Sequence, residues 1–252
     1  MSIAAVVVSH GNARELERLL PLLAPQVDEL VVIANVPGSV GDVPPGTRVV
    51  ENERVKGFGA NVNVGVAMTT AEFVCSVNPD AFPRDGAIAE LLRFSEEHPR
   101  AGVAGPAMVY PDGRLQPSRR TFPTVAGTIV RRTPLRLLFD PYKLQRRHYN
   151  LGDRPIEPVE ADWMLGGFLM LRRAMLDELG GFDEGFFLYG EDIDLCYRAW
   201  RAGWECWYVP AAVVEHEHQA VTDHRLFTRR TLWHWRGIAR FVRKHPERLR
   251  AL

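Results

Sequence analysis

Residues 188–204 read LYGEDIDLCYRAWRAGW, which puts two adjacent carboxylates, Glu191 and Asp192, directly after Tyr189-Gly190 at the expected start of a helix. Acids in a first turn suit the helix dipole, Asp194 and Arg198 stand four apart, and Leu195, Ala199 and Trp200 form an apolar stripe. The pattern describes a well-capped amphipathic helix, and it equally supplies a candidate catalytic base. A second acid tips the balance. Asp80, in SVNPDAF at 76–82, follows an apolar strand, and strand ends are where open α/β sheets keep their ligands.

Outward from these two acids, apolar runs alternate with helical periods. Residues 3–8 read as a buried strand, Asn12 as the cap of a helix carrying Leu16, Leu19, Leu20 and Leu23, and 30–34 as a second strand. A strand at 47–50, a helix at 60–70, a strand at 72–77 and a helix at 86–98 continue the rhythm, which predicts a mostly parallel sheet with right-handed crossovers. Beyond residue 100 the expectation is a strand at 103–109, a turn at Pro111-Asp112-Gly113 and an irregular basic stretch at 119–154. A strand over 161–172, a helix to 179, the acidic helix and a strand near 206–209 complete the domain.

The chain has 252 residues, 46% of them hydrophobic, enough for one large α/β domain or two small ones. Its 31 basic and 31 acidic residues cancel, so nothing points to nucleic acid, but residues 222–252 hold nine Lys/Arg against two acids. Within that tail Trp235, Ile238, Ala239 and Val242 follow a helical period flanked by Arg236, Arg240, Arg243 and Lys244. Such a helix either packs on the domain or lies on an anionic membrane surface. Cys75, Cys196 and Cys206 form no CxxC and cannot all pair, which favours a reducing compartment and buried thiols. No basic leader and no spanning apolar window occur, so the expectation is a cytoplasmic protein with peripheral membrane contact at most.

Several smaller constellations carry chemistry. Gly57 and Gly59 precede a helix, as in anion-cradling loops or a plain tight turn; the GxGxxxN spacing after the third strand argues against a dinucleotide fingerprint. Asn78-Pro79-Asp80 offers oxygen ligands for Mg²⁺ or Mn²⁺ held jointly with a diphosphate, or simply a turn. In VVEHEHQ at 213–219, His216 and His218 share one face if the segment is extended. Gly166 and Gly167 allow close approach of a ligand or of backbone, and Trp163 offers either a surface for a sugar or a core indole beside a kinked strand.

Taken in order, VVVSHGN at 6–12, GFGANVNVG at 57–65, NPD at 78–80, GPAMVYPDGRLQPSRRTFP at 105–123, DWMLGGFLMLRR at 162–173 and GGFDEGFFLYGEDIDLCYR at 180–198 resemble the inverting glycosyltransferases of family two, most closely the rhamnosyltransferase branch. The resemblance implies a GT-A fold, an α/β architecture with a mostly parallel central sheet flanked by helices. The resemblance spans about residues 3–218, and the domain it implies is 1–221, with a nucleotide-binding half (1–100) and an acceptor half (101–221), followed by a separate basic tail (222–252). It implies a nucleoside-diphosphate sugar donor, dTDP-rhamnose favoured, and a glycan or lipid-linked glycan acceptor at the inner face of the membrane. Ser9, Asn35, Asn78 and the loop from Gly57 to Asn63 would surround the donor. Asp80 and His216 would hold Mg²⁺ or Mn²⁺. Asp192 would be the base, with Glu191, Trp163, Gly166 and Gly167 at the acceptor.

Two positions depart from the family pattern. Ala34 stands where an acid usually precedes Asn35, and Asn78 replaces the first acid of the metal motif. A different expectation is a non-catalytic module that keeps the fold and only binds a glycan or partner. A nucleotidyltransferase would need a Gly-rich basic loop after the first strand, which His10-Gly11-Asn12 does not supply.

Overall fold

In a computed structural model that describes residues 1–122, 150, 152–217 and 229–249, the alternating segments of the first hundred residues form a parallel sheet. Strands β1 (Ile3–Ser9), β2 (Glu29–Ala34), β3 (Arg48–Glu51) and β4 (Phe73–Val77) lie in the order β3-β2-β1-β4 and run one way. β1 is buried along its whole length, which is why it reads as an unbroken apolar run rather than an alternation. Helix α1 (Ala13–Leu23) crosses from β1 to β2 and turns Leu16, Leu19, Leu20 and Leu23 inward, none more than 2% exposed. Each such leucine contributes about 1.5–3 kcal/mol of apolar burial. Asn12 stands at the N-terminus of α1 as expected, yet its side chain accepts from the His10 N–H at 3.0 Å rather than capping the helix. Helix α2 (Phe58–Ala67) crosses from β3 to β4.

The second half adds β5 (Ala81–Pro83), α3 (Ala87–Glu97), β6 (Ala101–Val109), β7 (Leu115–Gln116), β8 (Arg119–Arg120), β9 (Val159–Glu160), β10 (Trp163–Met164) and β11 (Phe168–Arg172). Helices α4 (Arg173–Leu179) and α5 (Glu191–Arg201), strand β12 (Glu205–His216) and helix α6 (Arg229–Lys244) follow. β11 inserts antiparallel between β4 and β6, and β6 pairs parallel with β12, so the strands of both halves join one sheet. The single strand expected over 161–172 is two: β10 leaves to pair with β8, β11 enters the sheet, and Gly166-Gly167 sit at the break. β12 runs well past the expected 206–209. Its register shifts between Val209 and Val213, around Pro210, which hides the continuation in the sequence.

α6 is docked on the domain, the first of the two alternatives for the basic tail. Phe241 packs with Phe186 and Tyr197, while Ala239 of the expected apolar stripe is exposed. Arg240 donates to Asp183 at 2.6 Å, and Lys244 bridges Asp183 at 2.7 Å and Asp194 at 2.9 Å. Two of the four cations read as membrane-facing are therefore paired within the fold; Arg236 and Arg243 are exposed. His218 and residues 222–228 lie outside the described residues.

Candidate functional site

The C-terminal ends of β1, β2 and β4 open on one side of the sheet, where the strand order reverses about β1. Ser9 is fully buried there; its carbonyl accepts from the Asn35 N–H at 2.8 Å and its hydroxyl from the Asn12 N–H at 3.3 Å. The Asn35 carboxamide accepts from the Lys56 N–H at 2.8 Å and from Asn52 Nδ2 at 3.0 Å, and donates to the Lys56 carbonyl at 3.0 Å. Asn52 donates onward to Asn61 at 2.6 Å, and Asn61 to the Gly57 carbonyl at 3.0 Å. Each amide carries donors and an acceptor, so three buried asparagines hold the Lys56-Gly57 turn without any net charge. Asn52 and Asn61 had no sequence signal of their own, because a surface asparagine reads the same.

The glycines and Asn63 of this segment serve the loop before α5. A Cβ on Gly57 would come within 2.6 Å of the Phe186 carbonyl, and one on Gly59 within 2.8 Å of the Phe182 side chain. Asn63 accepts from the Phe182 N–H at 2.8 Å and donates to the Phe182 carbonyl at 2.9 Å and to Glu184 at 3.1 Å. Gly57 and Asn63, expected at the nucleotide, also meet residues 182–187, and the absence of a Cβ at Gly57 and Gly59 permits that close approach.

Asp80 and His216 come together as expected. β5 pairs with β12 so that Ala81 faces His216, and the Glu217 N–H donates to the Asp80 carbonyl at 3.0 Å. His216 Nε2 lies 3.4 Å from Asp80 Oδ1, and its Nδ1 lies 2.7 Å from Gln116 Oε1 on β7. Gly167 lies against the imidazole, where an added Cβ would be 3.0 Å from Cε1. The Asn78 N–H donates to the Gly167 carbonyl at 2.9 Å, tying the Asp80 loop to the same turn. Among the described residues no group of three or more His, Cys, Asp or Glu side chains could enclose a metal, so this pair would need oxygens from a ligand to complete a cation's shell. An imidazole nitrogen and a carboxylate oxygen suit that role.

The other glycine of the turn reaches the carboxylate pair. The Gly166 N–H donates to Asp192 Oδ2 at 3.1 Å, and the Ile193 N–H to Oδ1 at 2.9 Å. Burial raises the Asp192 pKa above its ordinary value, while these N–H groups and the Arg120 guanidinium partly offset the rise. Glu191 is 7% exposed and its Oε2 has no hydrogen-bond partner among the described residues. Burial, then the neighbouring Asp192 charge, pushes its carboxyl up to about 8. With its carboxyl at about 8, Glu191 is mostly protonated near neutral pH.

Trp163 is a core residue, 3% exposed, with its indole N–H on the Thr121 carbonyl at 2.9 Å and the Arg120 guanidinium 5.0 Å from its ring centroid. The face expected to stack on a sugar is covered by Arg120. That arginine is the residue sequence reading passed over; its signal was the basic SRR at 118–120.

A family model described as "Glycosyltransferase like family 2" matches residues 22–234. N-acetylglucosaminyl-diphospho-decaprenol L-rhamnosyltransferase of Mycobacterium tuberculosis is 30% identical over 250 residues, covering 88% of this chain and 78% of that protein. Rhamnosyltransferase WbbL of Escherichia coli is 27% identical over 198 residues, covering 75% of this chain and 70% of its own. Among solved structures, GalNAc-T7 with UDP, GalNAc and Mn²⁺ superposes with a TM-score of 0.67 at 16% identity. The mannosyltransferase PcManGT from Pyrobaculum calidifontis with GDP-Man and Mn²⁺ does so with a TM-score of 0.62 at 17% identity. This chain spans 51% of the first structure's chain and 64% of the second's.

Proposed function

Because the chain belongs to the family 2 glycosyltransferases and has their GT-A architecture, we propose that it moves rhamnose, with inversion, from dTDP-rhamnose to a sugar hydroxyl of a lipid-linked glycan. The observation that carries this reading is the Gly166-Gly167 turn: one glycine anchors Asp192, and the next lies against His216 beside Asp80. A candidate base and a candidate cation-holding pair thus both meet one glycine turn. Support for rhamnose and for a lipid-linked acceptor comes from the similarity to the M. tuberculosis N-acetylglucosaminyl-diphospho-decaprenol L-rhamnosyltransferase.

In this reading Asp192 takes the proton of the acceptor hydroxyl as its oxygen bonds to the anomeric carbon and the bond to the nucleoside diphosphate breaks on the opposite face. The backbone N–H groups of Gly166 and Ile193 keep the carboxylate aimed, and Glu191, neutral beside it, spares it a second negative charge. Mg²⁺ or Mn²⁺, held by Asp80 and His216 with the donor's diphosphate, would neutralise charge on the leaving group. One base and a stabilised leaving group suffice for inversion. Any contact with an anionic membrane would rest on the exposed Arg236 and Arg243 and on residues outside those described.

A donor panel tests the assignment. Nucleotide release with Mn²⁺ present is expected from dTDP-rhamnose well above UDP and GDP sugars; a preference for another donor would replace rhamnose. Absence of release from every donor would favour the non-catalytic module. Asp80→Ala is expected to abolish the Mn²⁺-dependent gain in dTDP affinity measured by calorimetry, because the diphosphate then meets a site lacking its carboxylate. An unchanged metal increment removes Asp80 from the site.

A further inference from the structure

We infer that Gln116 is a positioning residue for the cation site: it fixes His216 in the tautomer that turns the Nε2 lone pair toward Asp80. The inference rests on the proposed Asp80–His216 site and deepens it.

Both side chains are buried, His216 at 1% and Gln116 at 3% exposure, so water does not set the tautomer. A neutral imidazole carries one N–H. With Gln116 Oε1 only 2.7 Å from Nδ1, the proton belongs on Nδ1, which donates to the amide oxygen and leaves Nε2 as an electron-pair donor. The distance on the other side agrees. Nε2 to Asp80 Oδ1 is 3.4 Å, beyond the ~3.2 Å limit of a good N–H···O bond, so the geometry does not call for an N–H there.

The device is built from backbone. Gln116 is set by the β6–β7 hairpin, in which it pairs with Met108 across the turn at Gly113, whose φ is 82°. Gly167 closes off the imidazole from another side, since a Cβ there would stand 3.1 Å from Nε2. A distant hairpin and a glycine turn thereby hold one ring. Outer-shell partners of ligating histidines commonly act in this way, and losing one costs about 10- to 100-fold in metal affinity.

The test uses the full chain, ¹⁵N-labelled and metal-free, with imidazole tautomers read from two-bond ¹H–¹⁵N correlations and the His216 signals assigned by their loss in His216→Gln. Wild type is expected to show the Nδ1–H form, and Gln116→Met to lose it. In calorimetry with Mn²⁺ and dTDP, Gln116→Met is expected to bind the ion about 10- to 100-fold more weakly. Gln116→Glu, which still accepts the Nδ1 proton, is expected to keep both the tautomer and near-wild-type affinity. An Nε2–H form in wild type overturns the inference, as does Gln116→Met with unchanged tautomer and Mn²⁺ affinity, or equal losses in Met and Glu variants that melt like wild type. If wild type takes up no Mn²⁺ but its Nδ1–H form is lost in Gln116→Met, the cation reading fails while the positioning of His216 stands.

Discussion

Asp192→Asn is expected to lower sugar transfer by about 10²- to 10⁴-fold, the usual cost of losing a general base, while dTDP binding stays near wild type. The amide keeps the shape, although its single oxygen can accept only one of the Gly166 and Ile193 N–H bonds, which reach different oxygens of the carboxylate. What it cannot do is take the hydroxyl proton. Glu191→Gln is the control. With burial holding the Glu191 carboxyl at about 8, the residue is mostly neutral at pH 7, and a neutral isostere should cost little. Initial rates with a defined acceptor, alongside calorimetry with dTDP, decide the matter: collapse in Glu191→Gln with activity retained in Asp192→Asn would exchange the two roles.

The second large effect is expected at Asp194, three residues into α5 and fully buried. Its carboxylate accepts from Arg198 at 2.7 Å, Lys244 at 2.9 Å and His245 at 2.8 Å, and Arg198 in turn donates to the carbonyls of Leu179 and Gly181. One acid therefore gathers α5, the end of α4 and the docked α6. Asp194→Ala leaves the Arg198 and Lys244 cations facing a void; removing one partner of a buried ion pair costs about 3–5 kcal/mol, or roughly 10 °C in Tm for a chain of this size. Limited proteolysis should then release α6 early. A melting temperature within two or three degrees of wild type, with α6 still protected, would show that apolar packing of Phe241 suffices. Asp183 adds a pH signature to the same dock. Burial works against its charge, but hydrogen bonds from Arg240 and Lys244 hold its carboxyl well below the usual range. Its contribution is thus complete above about pH 4 and is lost as the pH falls toward the depressed folded value.

Much of this architecture is legible in the chain. A buried parallel strand must be apolar on both faces and a crossover helix on one, so 3–8, 30–34 and 72–77 and the leucines of α1 announce themselves by period alone. Asp80 and Asp192 are equally visible, as acids at a strand end and at a helix start. Where period fails, the sequence is silent: Pro210 and the register shift at Val209 conceal the extension of β12 that delivers His216 to Asp80, and two glycines conceal the break between β10 and β11.

Residue types, then, marked which positions could do chemistry, because charge and hydrophobic period are local properties. Which of them meet was decided by tertiary contact. Gly57 and Asn63 have the composition of a phosphate loop and are brought against residues 182–187. Trp163 has the ring for a sugar but is covered by Arg120. Gln116 and Asn52 carry no special signal but are buried against His216 and Asn35. An amide or a glycine takes its meaning from the neighbour that burial assigns to it, and that neighbour comes from tens of residues away, through pairings that no local pattern encodes.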